Sequence, residues 1–401
     1  MKPSDGAKGP LVGYRVLECS PLMAGAICGT LLADMGAEVI KLEPPSGDAW
    51  RRMGETRLGG ESTLFLSANR NKLSLTLDIS RDEGQSALLR LLPSVDILIE
   101  GLGPKATRRL GVDYVACRGV REDLVYLSLS GYGQTGPSAE RPANDPTIQA
   151  YSGMMALTGE FQGPPLLTGN PSADFAGAAV GAYAACAALF HRERTGQGQH
   201  VDVPLLDAML YSLIPREGEV LTTGQELERY GTGHPSFVPY QAFEAKDGKC
   251  LFLSCFTPKF WSNLCQVLEL SELEKDSRFA TNPDRVKNRQ ELLPILEGQF
   301  KQKTMAEWLE KIQAADVPCG PLNDLAMAMQ DPQVVHNQMV VEMDAPPYGH
   351  FRTMAHPIRF LGTPARYELP PPALGQHTRQ ILSSAGFGPA EIERLEKSGA
   401  I

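Results

Sequence analysis

The chain has 401 residues, of which 42% are hydrophobic and 21% charged, and its formal net charge is −9. This composition is typical of a soluble globular protein with two or three domains and an ample core. The negative charge argues against general binding to nucleic acid or to anionic membranes, but it permits a local basic pocket for an anionic ligand.

Eight cysteines and seven histidines are scattered along the chain, without C-x-x-C or H-x-x-x-H spacing. We therefore expect no metal site. The first residues lack the apolar core of a signal peptide, and no apolar run approaches the roughly 18 residues of a membrane span. These features predict a cytoplasmic protein with reduced thiols and no membrane association.

Strand and helix patterns alternate over the first 130 residues. The sequence predicts strands at 14–18, 38–43, 72–78, 95–100 and 124–130. Helical periodicity lies between some of them, at 24–35 and 81–92. Such alternation indicates a mainly parallel sheet covered on both faces, whose chemistry lies at the carboxyl ends of its strands.

The turn after the first strand suggests nucleotide binding, and Glu43 at the end of the second strand strengthens that interpretation. The G-x-G-x-x-G fingerprint is nevertheless absent, because only Gly25 and Gly29 are present, four residues apart. We expect no standard NAD site, and we expect these glycines to permit close helix packing.

Basic residues next to two of the predicted strands form a second candidate feature. Arg70 and Lys72 precede one strand, and Arg108 and Arg109 follow another. Such residues can form a positive pocket for phosphates, and ordinary surface charge is the alternative interpretation.

Asp174 lies at the start of a small-residue helix predicted over 174–194. One interpretation is an N-cap, for which aspartate is a preferred residue. The other is a catalytic nucleophile held at a helix N-terminus, whose dipole stabilises a carboxylate. A lone carboxylate in an apolar stretch is costly unless it is paired, hydrogen-bonded or used. The local pattern leaves both interpretations open.

A strand at 200–204 and a helix at 205–213 are predicted next, and the composition changes near residue 220. The following loop contains Gly231, Gly233 and His234. It is either a lid whose backbone N–H groups stabilise an oxyanion, or a domain linker. We predict a smaller α+β domain over residues 225–320.

Ten segments, in order and at consistent spacing, resemble one known family. They include Leu32-Ala-Asp-Met-Gly-Ala-Glu-Val-Ile-Lys-Leu-Glu43, Asn69-Arg-Asn-Lys72, Ser130-Gly-Tyr-Gly-Gln-Thr-Gly-Pro137, Asp145-Pro-Thr-Ile-Gln149, Asp174-Phe-Ala-Gly177, Val317-Pro-Cys-Gly-Pro321 and Leu374-Gly-Gln-His-Thr378. The chain resembles the class III coenzyme A transferases, the CaiB/BaiF family.

The resemblance implies a fold and an assembly. The large domain would be a Rossmann-like α/β fold built from residues 1–200 and from a C-terminal segment, 321–401, that returns to it. The smaller domain would come from the middle of the chain. Two such subunits would interlock as a homodimer.

The resemblance also implies a chemistry in which Asp174 is the nucleophile and forms first an acyl anhydride and then an aspartyl-CoA thioester. Acyl-CoA would be a substrate, with no permanently bound cofactor, and a small carboxylic acid would be the acceptor. The implied lid residues are Gly231, Gly233 and His234. The implied CoA contacts are Leu22, Met23, Ala24, Lys72, Leu102, Arg109, Leu110 and Tyr132.

Two alternatives belong to other functional classes. A 2-methylacyl-CoA racemase of the same fold would need a histidine before Asp145 and a glutamate in the small domain, where this chain has Asn144 and Thr257. Neither residue can exchange a proton at neutral pH, so transfer is favoured. A non-catalytic CoA-binding protein would have an altered nucleophile, whereas Asp174 is intact.

Within the transferases, the resemblance is greatest to the succinyl-CoA:dicarboxylate branch. Formyl-CoA transferases have glutamine at the position of Met23, and this departure argues against oxalate as the acceptor.

Overall fold

The computed structural model describes residues 9–21 and 23–401, so that Leu22 lies outside the described residues. The chain forms two compact units. The first comprises Met1–Met155, Leu167–Gly224 and Gln333–Ile401, and the second comprises Ala156–Leu166 and Gln225–Pro332. The sequence prediction is wrong for 156–166, which it placed in the large domain, and the second unit extends to Pro332 instead of ending at 320.

A six-stranded parallel sheet organises the first unit. Its strands are β1 (Arg15–Cys19), β2 (Glu38–Glu43), β3 (Lys72–Thr76), β4 (Ile97–Glu100), β5 (Val125–Ser130) and β6 (Gln199–Pro204). Their spatial order is β3-β2-β1-β4-β5-β6, and every neighbouring pair is parallel. This is the strand order of dinucleotide-binding α/β folds, and it confirms the predicted parallel sheet.

Both faces of this sheet are buried, because neighbouring residues on one strand enter different apolar clusters. Val16 and Val39 belong to one cluster, and Leu17 and Ile40 belong to the other. Side chains alternate across a strand, so a strand covered on both sides needs apolar residues at consecutive positions. This requirement explains the consecutive apolar pairs Val16-Leu17 and Val39-Ile40.

Helices cover the two faces. In the first unit the α-helices are Met23–Asp34, Thr63–Ser67, Asp82–Leu91, Pro104–Arg109, Tyr114–Val120, Asp145–Ser152, Met154–Leu157, Ser172–Thr195, Leu205–Tyr211, Arg216–Thr223, Pro332–His336, Thr378–Ser384 and Pro389–Ser398, some of which cross a unit boundary by one or two residues. Short 3₁₀ helices occupy Ala49–Arg51 and Leu92–Ser94, and a two-residue hairpin pairs Arg57–Leu58 with Glu61–Ser62.

The two glycines of the first helix are packing positions, as predicted. A Cβ on Gly25 would lie 2.2 Å from the Cβ of Ser20, and a Cβ on Gly29 would lie 2.5 Å from Oε2 of Glu18. Both distances are shorter than real Cβ contacts, so only glycine lets the helix lie this close to β1.

The Ser172–Thr195 helix is central to the unit. Its small residues bring it close to the sheet, since a Cβ on Gly181 would lie 2.9 Å from Cδ2 of Leu129. By length and composition it could cross a membrane, contrary to the expectation that no apolar run approaches that length. Half of that apolar stretch is buried inside the protein, and Ala178, Ala182 and Ala185 join the core, which is typical of a core helix.

The second unit is built on a three-stranded antiparallel sheet, β9-β8-β7. Its strands are β7 (Tyr240–Glu244), β8 (Cys250–Ser254) and β9 (Cys319–Pro321). Its helices are Pro258–Val267, Ser271–Lys275, Asn282–Lys287, Arg289–Phe300, Met305–Ala314 and Leu325–Met329. Aromatic residues fill its core, including Phe243 stacked on Phe300 and Trp308 edge-on to the same ring.

The C-terminal segment of the first unit begins with an antiparallel hairpin, β10 (Val340–Ala345) with β11 (Gly349–Met354). Further along, this segment is tied to the sheet near the N-terminal end of β3. The N–H of Asn71 donates to the carbonyl of Leu369 (2.8 Å), and Ser74 Oγ accepts from the N–H of Gly375 (2.9 Å). These long-range bonds make residues 333–401 part of the first unit.

Candidate active site

Asp174 is buried near the N-terminus of the Ser172–Thr195 helix, with 6% of its surface exposed. It is the third residue of that helix, so the N-cap interpretation is wrong. The N-cap position is held by Pro171, whose side chain makes no capping hydrogen bond. The first-turn N–H groups are instead satisfied from another helix.

Asp145 supplies the missing cap. Its Oδ1 accepts hydrogen bonds from the N–H groups of Ala173 (2.7 Å) and Asp174 (3.1 Å). Its Oδ2 accepts from Nε2 of Gln149 (2.7 Å), one turn further along the Asp145–Ser152 helix. Gln149 Oε1 in turn accepts from the backbone N–H and the hydroxyl of Thr168, both at 3.1 Å. This buried network fixes the backbone that carries Asp174.

The surroundings of Asp174 disfavour its charge. Burial, and to a lesser degree the neighbouring Asp145 carboxylate, raises the pKa of Asp174 from the ordinary 3.8 to about 7. No described residue donates a hydrogen bond to this carboxylate or pairs with it. A buried carboxylate that is neither paired nor hydrogen-bonded is a candidate for a functional group.

An apolar cluster lies beside the nucleophile candidate. Ala173 is buried there with Ala24, Ile148 and Leu205, and Tyr132 packs against the cluster. Of the predicted CoA contacts, Ala24 therefore lies in the same cluster as the residue that precedes Asp174, and Tyr132 packs against that cluster.

A cavity of about 420 Å³ opens at the carboxyl ends of β1 to β4. Three predicted CoA contacts, Leu102, Arg109 and Leu110, line it, together with residues that follow β1, β2 and β3. Most of its lining is apolar. Arg52 and Arg109 contribute positive charge, and Glu43, Asp48 and Asp78 contribute negative charge. This edge of a parallel α/β sheet is where such folds bind ligands.

Glu100 shapes one wall of the cavity. Its Oε2 accepts from the N–H groups of Leu102 (2.8 Å) and Gly103 (3.1 Å), and Gly103 has a positive φ of 81°. Such a backbone conformation favours glycine. The carboxylate thereby fixes the loop that places Leu102 in the cavity wall and begins the helix carrying Arg109.

Lys72 does not lie on a surface where CoA could bind it. Its side chain is fully buried, and Nζ donates to Glu18 Oε2 (2.7 Å), Asn69 Oδ1 (2.9 Å) and two backbone carbonyls, those of Ala26 and Ala68. Burial lowers the pKa of Lys72 to about 8, although Glu18 opposes the shift. The predicted contact between Lys72 and CoA is therefore corrected: this ammonium is part of the buried support beneath the site.

Replacing Lys72 by methionine is expected to destabilise the fold by about 3 to 5 kcal/mol, because it removes one of the two ammonium groups that pair with the buried Glu18. Thermal or denaturant unfolding of the variant measures this loss. The exposed Arg109→Met is the matched control and should unfold as the wild type does. A normally stable Lys72→Met protein with a raised KM for acyl-CoA would instead favour the phosphate-contact interpretation.

Met23 begins the Met23–Asp34 helix and is partly exposed, whereas Leu22 lies outside the described residues.

The predicted lid residues belong to the second unit, where their loop is held by several contacts. Gly231 N–H donates to the carbonyl of Gly159 (3.0 Å), and the ring of His234 packs near Tyr240 and Phe237. Their role as a lid stays a prediction.

Comparisons with known proteins agree on one family. The model of the family described as "CoA-transferase family III" matches residues 11–378. The chain belongs to CoA-transferase family III. It is 36% identical to the succinyl-CoA:glutarate CoA-transferase of Mus musculus (98% of this chain, 90% of the relative) and 36% identical to the acetyl-CoA:oxalate CoA-transferase of Acetobacter aceti (90% and 92%). A CaiB/BaiF family protein from Brucella suis has a similar structure, with a TM-score of 0.85 and 34% identity over 94% of this chain and all of that one.

For this family III CoA-transferase, sequence reasoning missed the role of Asp145 and its partners Gln149 and Thr168. Asp145 and Gln149 belong to one of the segments that carry the family resemblance, but the comparison with racemases concerns the neighbouring Asn144. Nothing local in the sequence signals that the Asp145 carboxylate caps a helix 28 residues further along the chain. Within the described residues, no group of three or more His, Cys, Asp or Glu side chains is placed to hold a metal ion.

Proposed function

We propose that this family III CoA-transferase moves CoA from an acyl-CoA thioester to a carboxylic acid, with Asp174 as the covalent nucleophile. The observation that carries the proposal is the buried Asp174 carboxylate, unpaired among the described residues, on a helix start held by Asp145. Its pKa of about 7 leaves a substantial ionised fraction at neutral pH, and poor solvation makes that carboxylate more reactive.

The first half of the reaction exchanges the thioester between substrate and enzyme. A carboxylate oxygen of Asp174 attacks the acyl carbonyl, the C–S bond breaks, and the CoA thiolate leaves. The product is a mixed anhydride. The thiolate then attacks the Asp174 carbonyl carbon, which releases the donor acid as a carboxylate and leaves an aspartyl-CoA thioester.

The second half repeats these steps with the acceptor. Its carboxylate attacks the thioester carbonyl and expels CoA thiolate, which gives a second anhydride. Attack of the thiolate on the acceptor's acyl carbon forms the new acyl-CoA and restores the Asp174 carboxylate. No net proton, oxidant or reductant is needed. Both anhydrides are sensitive to hydrolysis, so the apolar cluster around Ala173 supports the proposal by limiting the access of water.

CoA itself is proposed to bind at the carboxyl edge of the sheet. The cavity lined by Leu102, Arg109 and Leu110 suits an apolar ring system with an anionic neighbour, and Arg109 offers a fork of N–H donors to a phosphate. Met23, Ala24 and Tyr132 would contact the part of CoA nearer to the thioester. Lys72 is left out of this set.

A homodimer is proposed because a row of large apolar side chains is exposed on the central helix. Phe175, Tyr183 and Phe190 follow one another at intervals of eight and seven residues, and each is more than half exposed. This spacing puts them on one face of the helix. A face of this kind is usually covered by another protein surface. A second copy of the chain, interlocked as the family resemblance implies, would cover it.

Two residues that form helix N-caps argue against the racemase alternative. Asn144 Oδ1 accepts from the N–H of Thr147 (3.1 Å), and Thr257 Oγ1 accepts from the N–H of Phe260 (3.2 Å). Each residue therefore begins a helix in its own unit, and neither has a side chain that can exchange an α-proton at neutral pH. The proposed cytoplasmic location rests on the sequence alone.

Incubating the protein with succinyl-CoA and a panel of carboxylic acids tests the function. We expect new acyl-CoA products, detected by mass, with dicarboxylic acids as the better acceptors; the panel includes glutarate, oxalate and butyrate. Deuterium exchange at the α-carbon of 2-methylacyl-CoA is the parallel assay for racemisation. Deuterium incorporation without any acyl exchange would favour the racemase, and CoA binding without either reaction would favour a non-catalytic protein.

A further inference from the structure

Arg141 is an exposed cation in the segment that follows β5. Its backbone is fixed by a turn in which its N–H donates to the carbonyl of Ser138 (2.9 Å), and its Nη1 donates to the hydroxyl of Tyr151 (3.3 Å). Arg108 differs from it, because Arg108 pairs with Glu140 at 2.6 Å. Over residues 9–21 and 23–401, Arg141 forms no ion pair. Its charge is therefore available to an anion.

Two tyrosine rings connect this guanidinium to the apolar cluster beside the nucleophile. Tyr151 packs edge-on against Tyr132, with 5.3 Å between the ring centroids, and Tyr132 packs on the cluster that contains Ala173. Tyr151 also lies six residues after Asp145 on one helix, about 9 Å along its axis. Asp145 accepts from the N–H of Asp174, so a chain of contacts runs from Arg141 through Tyr151 and its helix to the segment that carries Asp174.

A dicarboxylic substrate has a recognition problem at this site. One of its carboxylates reacts at Asp174, and the other must be held close to two acidic side chains, Asp174 and Asp145, which repel it. A cation that binds this second carboxylate directly can offset the repulsion. Arginine suits the task because its planar guanidinium donates two parallel hydrogen bonds to one carboxylate.

We propose that Arg141, held by Tyr151, binds the non-reacting carboxylate of dicarboxylic acyl donors and acceptors and so selects diacids over monoacids. This inference rests on the proposed CoA transfer at Asp174. The phosphates of CoA are the other anions that could meet Arg141, and they are common to every acyl-CoA. Acyl-CoA donors that differ only in the charge at the far end of the acyl group therefore distinguish binding of that carboxylate from binding of the CoA phosphates.

The test compares succinyl-CoA with butyryl-CoA in the wild type and in Arg141→Gln, with one acceptor held constant. We expect kcat/KM for succinyl-CoA to fall roughly tenfold, the size of one lost charge-assisted hydrogen bond, and kcat/KM for butyryl-CoA to change less than about twofold. If butyryl-CoA is turned over too slowly, its inhibition constant against succinyl-CoA replaces kcat/KM. Tyr151→Phe should shift the same ratio in the same direction by a smaller factor.

Arg118→Gln is the matched control, because it removes an exposed positive charge from the same unit outside the proposed site. This substitution should leave kcat/KM unchanged for both donors. An equal loss of kcat/KM for both donors in Arg141→Gln would assign the residue to the CoA phosphates and overturn the proposal. Unchanged kcat/KM for both donors would also overturn it. Absence of exchange in the wild type with any donor would instead contradict the proposed function itself.

Discussion

Replacing Asp174 by alanine is expected to abolish CoA exchange while leaving the binding of acyl-CoA within a fewfold of the wild type. The methyl group cannot form the anhydride or the thioester, so kcat should fall by at least about 10⁴-fold. Binding should persist, because the proposed contacts around Leu102 and Arg109 are made by other segments. Exchange between succinyl-CoA and labelled succinate measures the first quantity, and calorimetry with CoA measures the second.

Chemical trapping locates the covalent intermediate independently of the rate. Wild-type protein mixed with succinyl-CoA and then treated with borohydride should carry a reduced aspartate at position 174, identified by peptide mass. Asp82→Ala is the matched control, since Asp82 is an exposed acid in the first turn of another helix of the same unit. Trapping at a different carboxylate, or near-normal turnover by Asp174→Ala, would move the nucleophile elsewhere.

The parallel sheet could be predicted from the sequence because its signal is local. Strands β1 to β5 fall within two residues of their predicted bounds, since each is a short segment of strand-forming residues, either largely apolar as in Ile97–Glu100 or alternating as in Lys72–Thr76. The unit boundaries have no such local signal. Residues 156–166 join the second unit through long-range bonds, such as those from Gly231 N–H to the carbonyl of Gly159 and from Arg229 to the carbonyl of Gly163. No pattern within 156–166 encodes those partners.

The candidate site also has one part that could be predicted from the sequence and another that could not. The resemblance predicts Asp174 and three of the residues that line the cavity, Leu102, Arg109 and Leu110, because motifs preserve residue type and spacing. Their roles in the reaction stay proposals. The burial of Lys72 could not be predicted, because a lysine beside an asparagine and an arginine is typical of a surface turn. Its position depends on Glu18, 54 residues earlier, whose carboxylate also binds Lys41. A buried charge of this kind is determined by the packed sheet.

Asp145 affects both the position and the pKa of Asp174, and two substitutions of Asp145 should separate these effects. Asp145→Ala leaves the N–H groups of Ala173 and Asp174 without their acceptor. The helix start, and with it the nucleophile, should then shift. Displacement of a reacting group by about 1 Å can cost roughly 10²-fold in rate, so we expect kcat to fall by about that factor while acyl-CoA binding is unchanged.

Asp145→Asn keeps an oxygen for those N–H groups but removes the negative charge. In the wild type the first half-reaction should rise with pH through about 7, because Asp174 must be ionised to attack and its pKa is raised to about 7. Part of that rise in pKa comes from repulsion by the Asp145 carboxylate. Without this repulsion the ionised form of Asp174 costs less, so the midpoint of the profile should move to lower pH.

Single-turnover release of the donor acid, followed from pH 5 to pH 9 in the wild type and both variants, measures these expectations. Asp145→Asn should retain much more activity at pH 8 than Asp145→Ala, because the acceptor for the helix N–H groups survives. A midpoint that stays in place in Asp145→Asn would mean that burial alone determines the pKa of Asp174. Equal losses in both variants would mean that the nucleophile depends on the charge of Asp145 as well as on its hydrogen bonds, so that position and charge could not be separated at this residue.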